Sequence, residues 1–120
     1  MEDDLVALVA AVATDATRAV PRLAATLETA YGQDGATIGH AVRSLPGVLE
    51  SLLSIIAEEG DVLLEALHVL ANVCSDAVDA RSAETKRALL STPQAADILF
   101  DLLTDDDAAV EERTAVAAIL

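Results

Sequence analysis

Apolar residues recur along this chain at intervals of three and four, the spacing that gives a helix one greasy face. Leu5, Val6, Leu8, Val9 and Val12 form the first such face. Glu2, Asp3 and Asp4 precede it and suit the positive end of a helix dipole. That helix is expected to stop near Thr14-Asp15. Val20, Leu23, Ala24, Leu27 and Tyr31 mark a second one. Pro21 sits either in the first turn of a helix starting near Ala19 or inside a longer, kinked one starting near Asp15. Gly32-Gln33-Asp34-Gly35 reads as a break, and Ala36 to Arg43 as a short third helix halted by Ser44-Leu45-Pro46.

Val48, Leu49, Leu52, Leu53, Ile55 and Ile56 give the fourth helix a wide apolar stripe, closed by Glu58-Glu59-Gly60-Asp61. Val62 to Ser75 is the fifth, with Leu63, Ala66, Leu67, Leu70 and Val73 turned inward. Residues 76–82 read as polar linker and Ala83 to Leu90 as a short sixth helix. Thr92 is placed to cap a seventh helix with Pro93 in its first turn. That helix is expected to bury Ala96, Leu99, Leu102 and Leu103, with Ile98 and Phe100 at its flanks. After the turn Thr104-Asp105-Asp106-Asp107, Ala108 to Leu120 makes an eighth. No run alternates apolar and polar residues strictly enough for a strand. The expected fold is all-α.

The helices repeat. Pro46-Gly47-Val48-Leu49-Glu50-Ser51-Leu52-Leu53 matches Pro93-Gln94-Ala95-Ala96-Asp97-Ile98-Leu99-Phe100 at an offset of about 47. Glu65, Leu70 and Val73 match Glu111, Val116 and Ile119 at about 46, and Val69, Leu70 and Val73 fall on Leu23, Ala24 and Leu27. Asp15, Asp61 and Asp107 precede the three related helices. Two long helices, a short one, then two long ones is the expected order.

This rhythm is similar to armadillo repeats and also close to two-helix HEAT repeats, the short helices Ala36–Arg43 and Ala83–Leu90 favouring armadillo. Within it the stretch Ala66-Leu67-His68-Val69-Leu70-Ala71-Asn72-Val73-Cys74-Ser75-Asp76 resembles the third helix of an armadillo repeat. It follows a Pro-started helix and an acidic turn, as that helix does. The resemblance implies a right-handed α-solenoid of about two and a half units, approximately 2–31, 36–76 and 83–120, in a single domain over 1–120. In this family the third helices line a concave groove, where an Asn bonds the backbone of an extended peptide. That role falls on Asn72. His68 shares its face one turn earlier, where the family often has Trp, and Arg22 and Thr26 hold the same places one unit before, with Thr114 one unit after. The pattern departs from the family where Leu45-Pro46 and Thr92-Pro93 lack the usual preceding Gly.

Charge narrows the partner. Seven Lys and Arg against 21 Asp and Glu leave a net charge of −14, a field that repels nucleic-acid phosphates and anionic membranes and favours a basic protein or peptide. Hydrophobic residues make up 53%, so the chain can bury a core despite its acidity. A lone Cys74 allows no internal disulfide and suits a cytoplasmic or nuclear setting. No span is long and apolar enough for a bilayer.

Catalysis finds no foothold in these residues. Cys74 and His68 are six apart on one helix and point in different directions. His40 reads as a partly buried packing residue, Cys74 as a buried thiol and Asp105 to Asp107 as a solvated turn. No metal or cofactor motif occurs. The expected function is therefore a non-enzymatic scaffold binding a partner segment through Asn72, His68, Arg22 and Thr26. The alternative is a structural subunit or segment stacking end to end in a larger assembly. Ala115 to Leu120 ends in an apolar run, which fits self-association or a piece of a longer protein.

Overall fold

A computed structural model describes residues 2–30 and 32–120. Among them the chain is helical, with no strand: α1 (Glu2–Val12), α2 (Ala16–Leu27), α3 (Gly32–Ser44), α4 (Val48–Glu58), α5 (Leu63–Val73), α6 (Ser82–Ser91), α7 (Ala95–Leu103) and α8 (Val110–Ile119). Tyr31, expected on the second helix, lies outside the described residues. Pro21 is inside α2, which starts at Ala16, so the longer of the two expected helices is the one that forms.

Packing partners follow the sequence offset. α1 packs on α4 and α4 on α7; α2 packs on α5 and α5 on α8; α3 packs on α6. Each helix thus meets the third one after it, and the related helices form rows. Burial fixes the register. Val69, Leu70 and Val73 on α5 and Ala115, Val116 and Ile119 on α8 are all buried, an offset of 46. Val48 and Leu52 on α4 correspond in the same way to Ala95 and Leu99 on α7, at 47. The molecule measures 41 × 27 × 25 Å, longer along one axis than across.

The turns entering α4 and α7 repeat as well. Gly47 and Gln94 both have left-handed backbones, with φ of 82° and 68°, each following a proline. Pro at the second position and a left-handed residue at the third is a type II arrangement. Thr92 therefore does not cap α7. It ends α6 instead, its hydroxyl donating to the Ala88 carbonyl at 3.0 Å, and the first residue of α7 is Ala95. That shift turns the helix by one position: Ala95, Leu99 and Leu102 are buried, whereas Ala96 is exposed and Leu103 only half-buried.

Two expectations about the third and sixth helices fail for one reason. α3 is not short. It begins at Gly32 and, at 13 residues, is the longest of the eight; α6, at 10, is longer than α7, so the short-long-long rhythm is absent. The expected polar linker is solvated only in part: Asp76, Ala77, Ala80 and Arg81 are exposed, but Asp79 and Ser82 are buried. The glycines explain both. A Cβ on Gly35 would run into the Val78 carbonyl, and one on Gly39 into the Asp79 carboxylate. Gly35 and Gly39 lie one helical turn apart on α3, and their missing side chains let the backbone around Val78 and Asp79 lie directly on it. They serve close approach rather than a break.

Charge locks this contact. Arg43 Nη1, at the end of α3, donates to Asp79 Oδ2 at 2.9 Å and to Thr85 Oγ1 of α6 at 3.0 Å. The Arg81 backbone N–H donates to Asp79 Oδ1 at 2.9 Å, and the Ser82 hydroxyl donates to Asp76. A buried carboxylate is tolerable only with such partners, and Asp79 has two donors, the Arg43 guanidinium and the Arg81 backbone N–H.

Gly35→Ala is expected to lower stability by about 1–3 kcal/mol, the cost of forcing an extra carbon into a packed contact. Urea unfolding checks it. A midpoint equal to the parent's would mean that the Val78 segment does not rest on α3.

Candidate functional site

The expected site residues lie on α2 and α5, and the local sequence explains their exposure. On α5 the inward positions are Leu63, Ala66, Leu67, Val69, Leu70 and Val73. His68 falls between these faces and is exposed; Asn72, one turn on, is half-buried at the edge of the same face. On α2, Val20, Leu23, Ala24 and Leu27 are buried, leaving Arg22 exposed and Thr26 half-buried. Because α2 and α5 pack together at an offset of 46, Arg22 matches His68 and Thr26 matches Asn72. On α8 the same register gives Thr114 and Ala118, both exposed.

Hydrogen bonds repeat along this row. Asn72 Nδ2 donates to the His68 carbonyl at 2.8 Å, and Thr26 Oγ1 donates to the Arg22 carbonyl at 2.9 Å. Each polar side chain turns back onto its own helix one turn earlier. For Thr26 this uses its single proton. A carboxamide is better provided: Asn72 keeps one N–H and its carbonyl oxygen, one donor and one acceptor, the pair a peptide bond requires. The intrahelical bond also holds the amide in one orientation, which reduces what an incoming ligand must order.

Arg22 brings a full charge to the row. It lines a shallow cleft with Leu8, Ala11, Asp15, Arg18 and Ala19, so an apolar strip of α1 runs beside the two arginines of α2. Arg18 and Arg22 sit one turn apart.

The remaining candidates for chemistry stand apart from this row. Cys74 is buried, and burial pushes its thiol up to about 11, an effect that Lys86 partly opposes. It is a protonated, packed sulfur at neutral pH. His40 is exposed rather than half-buried, its Nδ1 lying 3.5 Å from Ser44 Oγ; it sits on the side of α3 away from Ile38 and Val42, which face the core. In the acidic turn, the Asp107 N–H donates to Asp105 Oδ1 at 2.9 Å, a local bond within the turn. No group of three or more His, Cys, Asp or Glu residues able to hold a metal occurs among the described residues, and no helix among them is long and apolar enough to cross a membrane.

Two features of the structure escape a reading by periodicity. The junction of Arg43, Asp79 and Thr85 joins residues far apart in sequence; its only trace is the Gly35/Gly39 pair inside an otherwise helical pattern. The outward face of α7 is the other, and it shows in the alignment of Leu53 with Phe100. No protein-family model, curated protein or solved structure matches this chain.

The raised thiol sets a pH dependence. The folded state keeps the Cys74 proton to higher pH than the unfolded chain does, so its contribution is complete below about pH 9 and is lost as pH rises through about 11. Alkylation of the native protein by iodoacetamide is expected to show a rate inflection near 11. An inflection at the ordinary thiol value would place Cys74 at the surface.

Proposed function

We propose that the chain is a short armadillo-like α-solenoid of about two and a half units, and that it acts as a non-enzymatic scaffold holding a partner segment along the α2–α5–α8 row. The observation that carries this reading is the repeated pair on α2 and α5. Two packed helices present a polar residue at equivalent positions, each bonded to its own helix four residues back, beside a basic or imidazole side chain one turn earlier. A row of evenly spaced donors and acceptors on adjacent helices matches the repeating polar groups of an extended peptide. The chain's family resemblance assigns the same face to ligand binding.

Arg22 and Arg18 give the α2 end of the row a local positive charge, whereas the whole molecule carries −14. An extended segment with an acidic residue near α2 and basic residues beyond it fits both. Without tryptophan, the row has no indole walls to sandwich long aliphatic stems. Hydrogen bonding to the partner's backbone therefore contributes more than side-chain pockets, and affinity is modest. A cytoplasmic or nuclear location accords with the buried, reduced thiol.

The test is photo-crosslinking in the native source. A photoreactive side chain is placed at His68, with a second copy at Ala83, which is exposed on α6 outside the row, as control. The same protein should be captured from position 68 and not from 83. Asn72→Ala should then weaken that partner by about tenfold, the loss of one or two bonds to a peptide group, while the melting temperature stays within a degree or two of the parent's. Unaltered affinity removes Asn72 from the site. Equal capture from both positions contradicts the row as an interface.

A further inference from the structure

We propose that the outward face of α7 docks an amphipathic helix of a partner protein, apolar along its centre and bordered by Lys or Arg. The argument comes from comparing one position in two layers of the molecule. α4 has two apolar faces: Val48 and Leu52 point into its own layer, and Leu49, Leu53 and Ile56 point toward α7. All five are buried. Residues of the α7 region line the clefts on Leu53 and Ile56, with Pro93, Gln94 and Ile98 beside Leu53, and Ile98 and Leu102 beside Ile56. That second face is therefore covered by the following helix.

α7 carries the same two faces. Ala95, Leu99 and Leu102 are buried inward. Ala96 and Phe100, at the positions of Leu49 and Leu53, are exposed, and Leu103, at that of Ile56, is only half-buried: Phe100 is 59% exposed where Leu53 is 3% exposed. Leu90 on α6 repeats the pattern. It stands at the place of Arg43, which the next layer grips through Asp79 and Thr85, and it is exposed. Among the described residues the four exposed large apolar ones, Leu90, Phe100, Val110 and Leu120, all belong to this last layer. The interface that α4 makes with α7 thus continues onto α7, with its cover missing.

The occupant's form and charge follow from the surroundings. On α8 the place of buried Leu67 is taken by half-buried Arg113 and that of Ala66 by half-buried Glu112, so the middle of α8 is polar, whereas its two ends expose Val110 and Leu120. One helix over α7 is what fits, laid as α7 lies on α4. Asp97 and Asp101 flank the Phe100 stripe one position around the helix, Asp105 to Asp107 close its end, and from Pro93 to Leu120 Arg113 is the single base against seven acids. A second copy of this chain would bring more acid to an acid rim, and an anionic lipid surface would be repelled. Basic borders complement it.

This surface is distinct from the α2–α5 row, so the two readings fail separately. Fluorescence anisotropy with three synthetic helices tests it: one with Leu at i, i+4 and i+7 between Lys borders, one with Glu borders, and one with Lys borders but Ser in place of Leu. The Leu/Lys helix is expected to bind, and Phe100→Ser and Ala96→Arg should each weaken it about tenfold or more, with unchanged melting and with Asn72→Ala as a neutral control. The Ser/Lys helix binding equally well would reduce the effect to charge alone and overturn the proposal, as would binding indifferent to Phe100→Ser. Sedimentation of the free protein closes the remaining route: a dimer abolished by Phe100→Ser would make a second copy the occupant and overturn the partner named here.

Discussion

None of these helices is long enough to persist alone in water. They run from 9 to 13 residues, below the length at which even good helix formers hold together unaided. Each must therefore bury more than one face, and that requirement governs the architecture. α4 is the plainest case, with one apolar face turned to α1 and α5 and another to α7. Because the chain repeats at 46 to 47 residues, satisfying that need for one helix satisfies it for its counterpart in the next layer, until the last layer is reached.

Stacking leaves polar surface in a regular arrangement, and this links the fold to the function proposed above. Helices of one row share a register, so the residues between their buried faces share one too; Thr26 and Asn72 hold equivalent places because Leu23 and Val69, like Leu27 and Val73, are equivalent buried positions on packed helices. The α3–α6 contact ties the layers from the other side. There the fit depends on absent atoms, since Gly35 and Gly39 admit the Val78–Asp79 backbone, and on Arg43 neutralising the carboxylate thus buried. Breaking either would free α6 from α3 and loosen the alignment of the rows.

Much of this was legible in the residues, and the failures have physical causes. Helix existence, the all-α class and the inward face of α5 follow from spacing alone, because apolar burial is what spacing records. The start of α7 does not, since Thr92-Pro93 satisfies the ordinary capping pattern while Gln94 takes a left-handed backbone that only its correspondence with Gly47 suggests. The length of α3 was hidden because glycine usually marks a break, and here it marks a close approach. Burial of Asp79 was hidden because its charged partner, Arg43, lies 36 residues back, on α3. Of the row residues, exposure and equivalence are read correctly from periodicity, whereas the back-bonding of Asn72 and Thr26 is visible only in three dimensions.

The stacking itself is tested most directly by placing a carboxylate at one repeat position in two layers. Leu53 and Phe100 are equivalents, the first covered by the next helix and the second open. Urea unfolding of Leu53→Asp is predicted to show a loss of about 3 kcal/mol or more, because an unpaired charge enters the contact between layers. Phe100→Asp should remain within about 0.5 kcal/mol of the parent, as a surface change does. Equal losses at the two positions, or a tolerated Leu53→Asp, would contradict a fold built from layers that cover one another in turn.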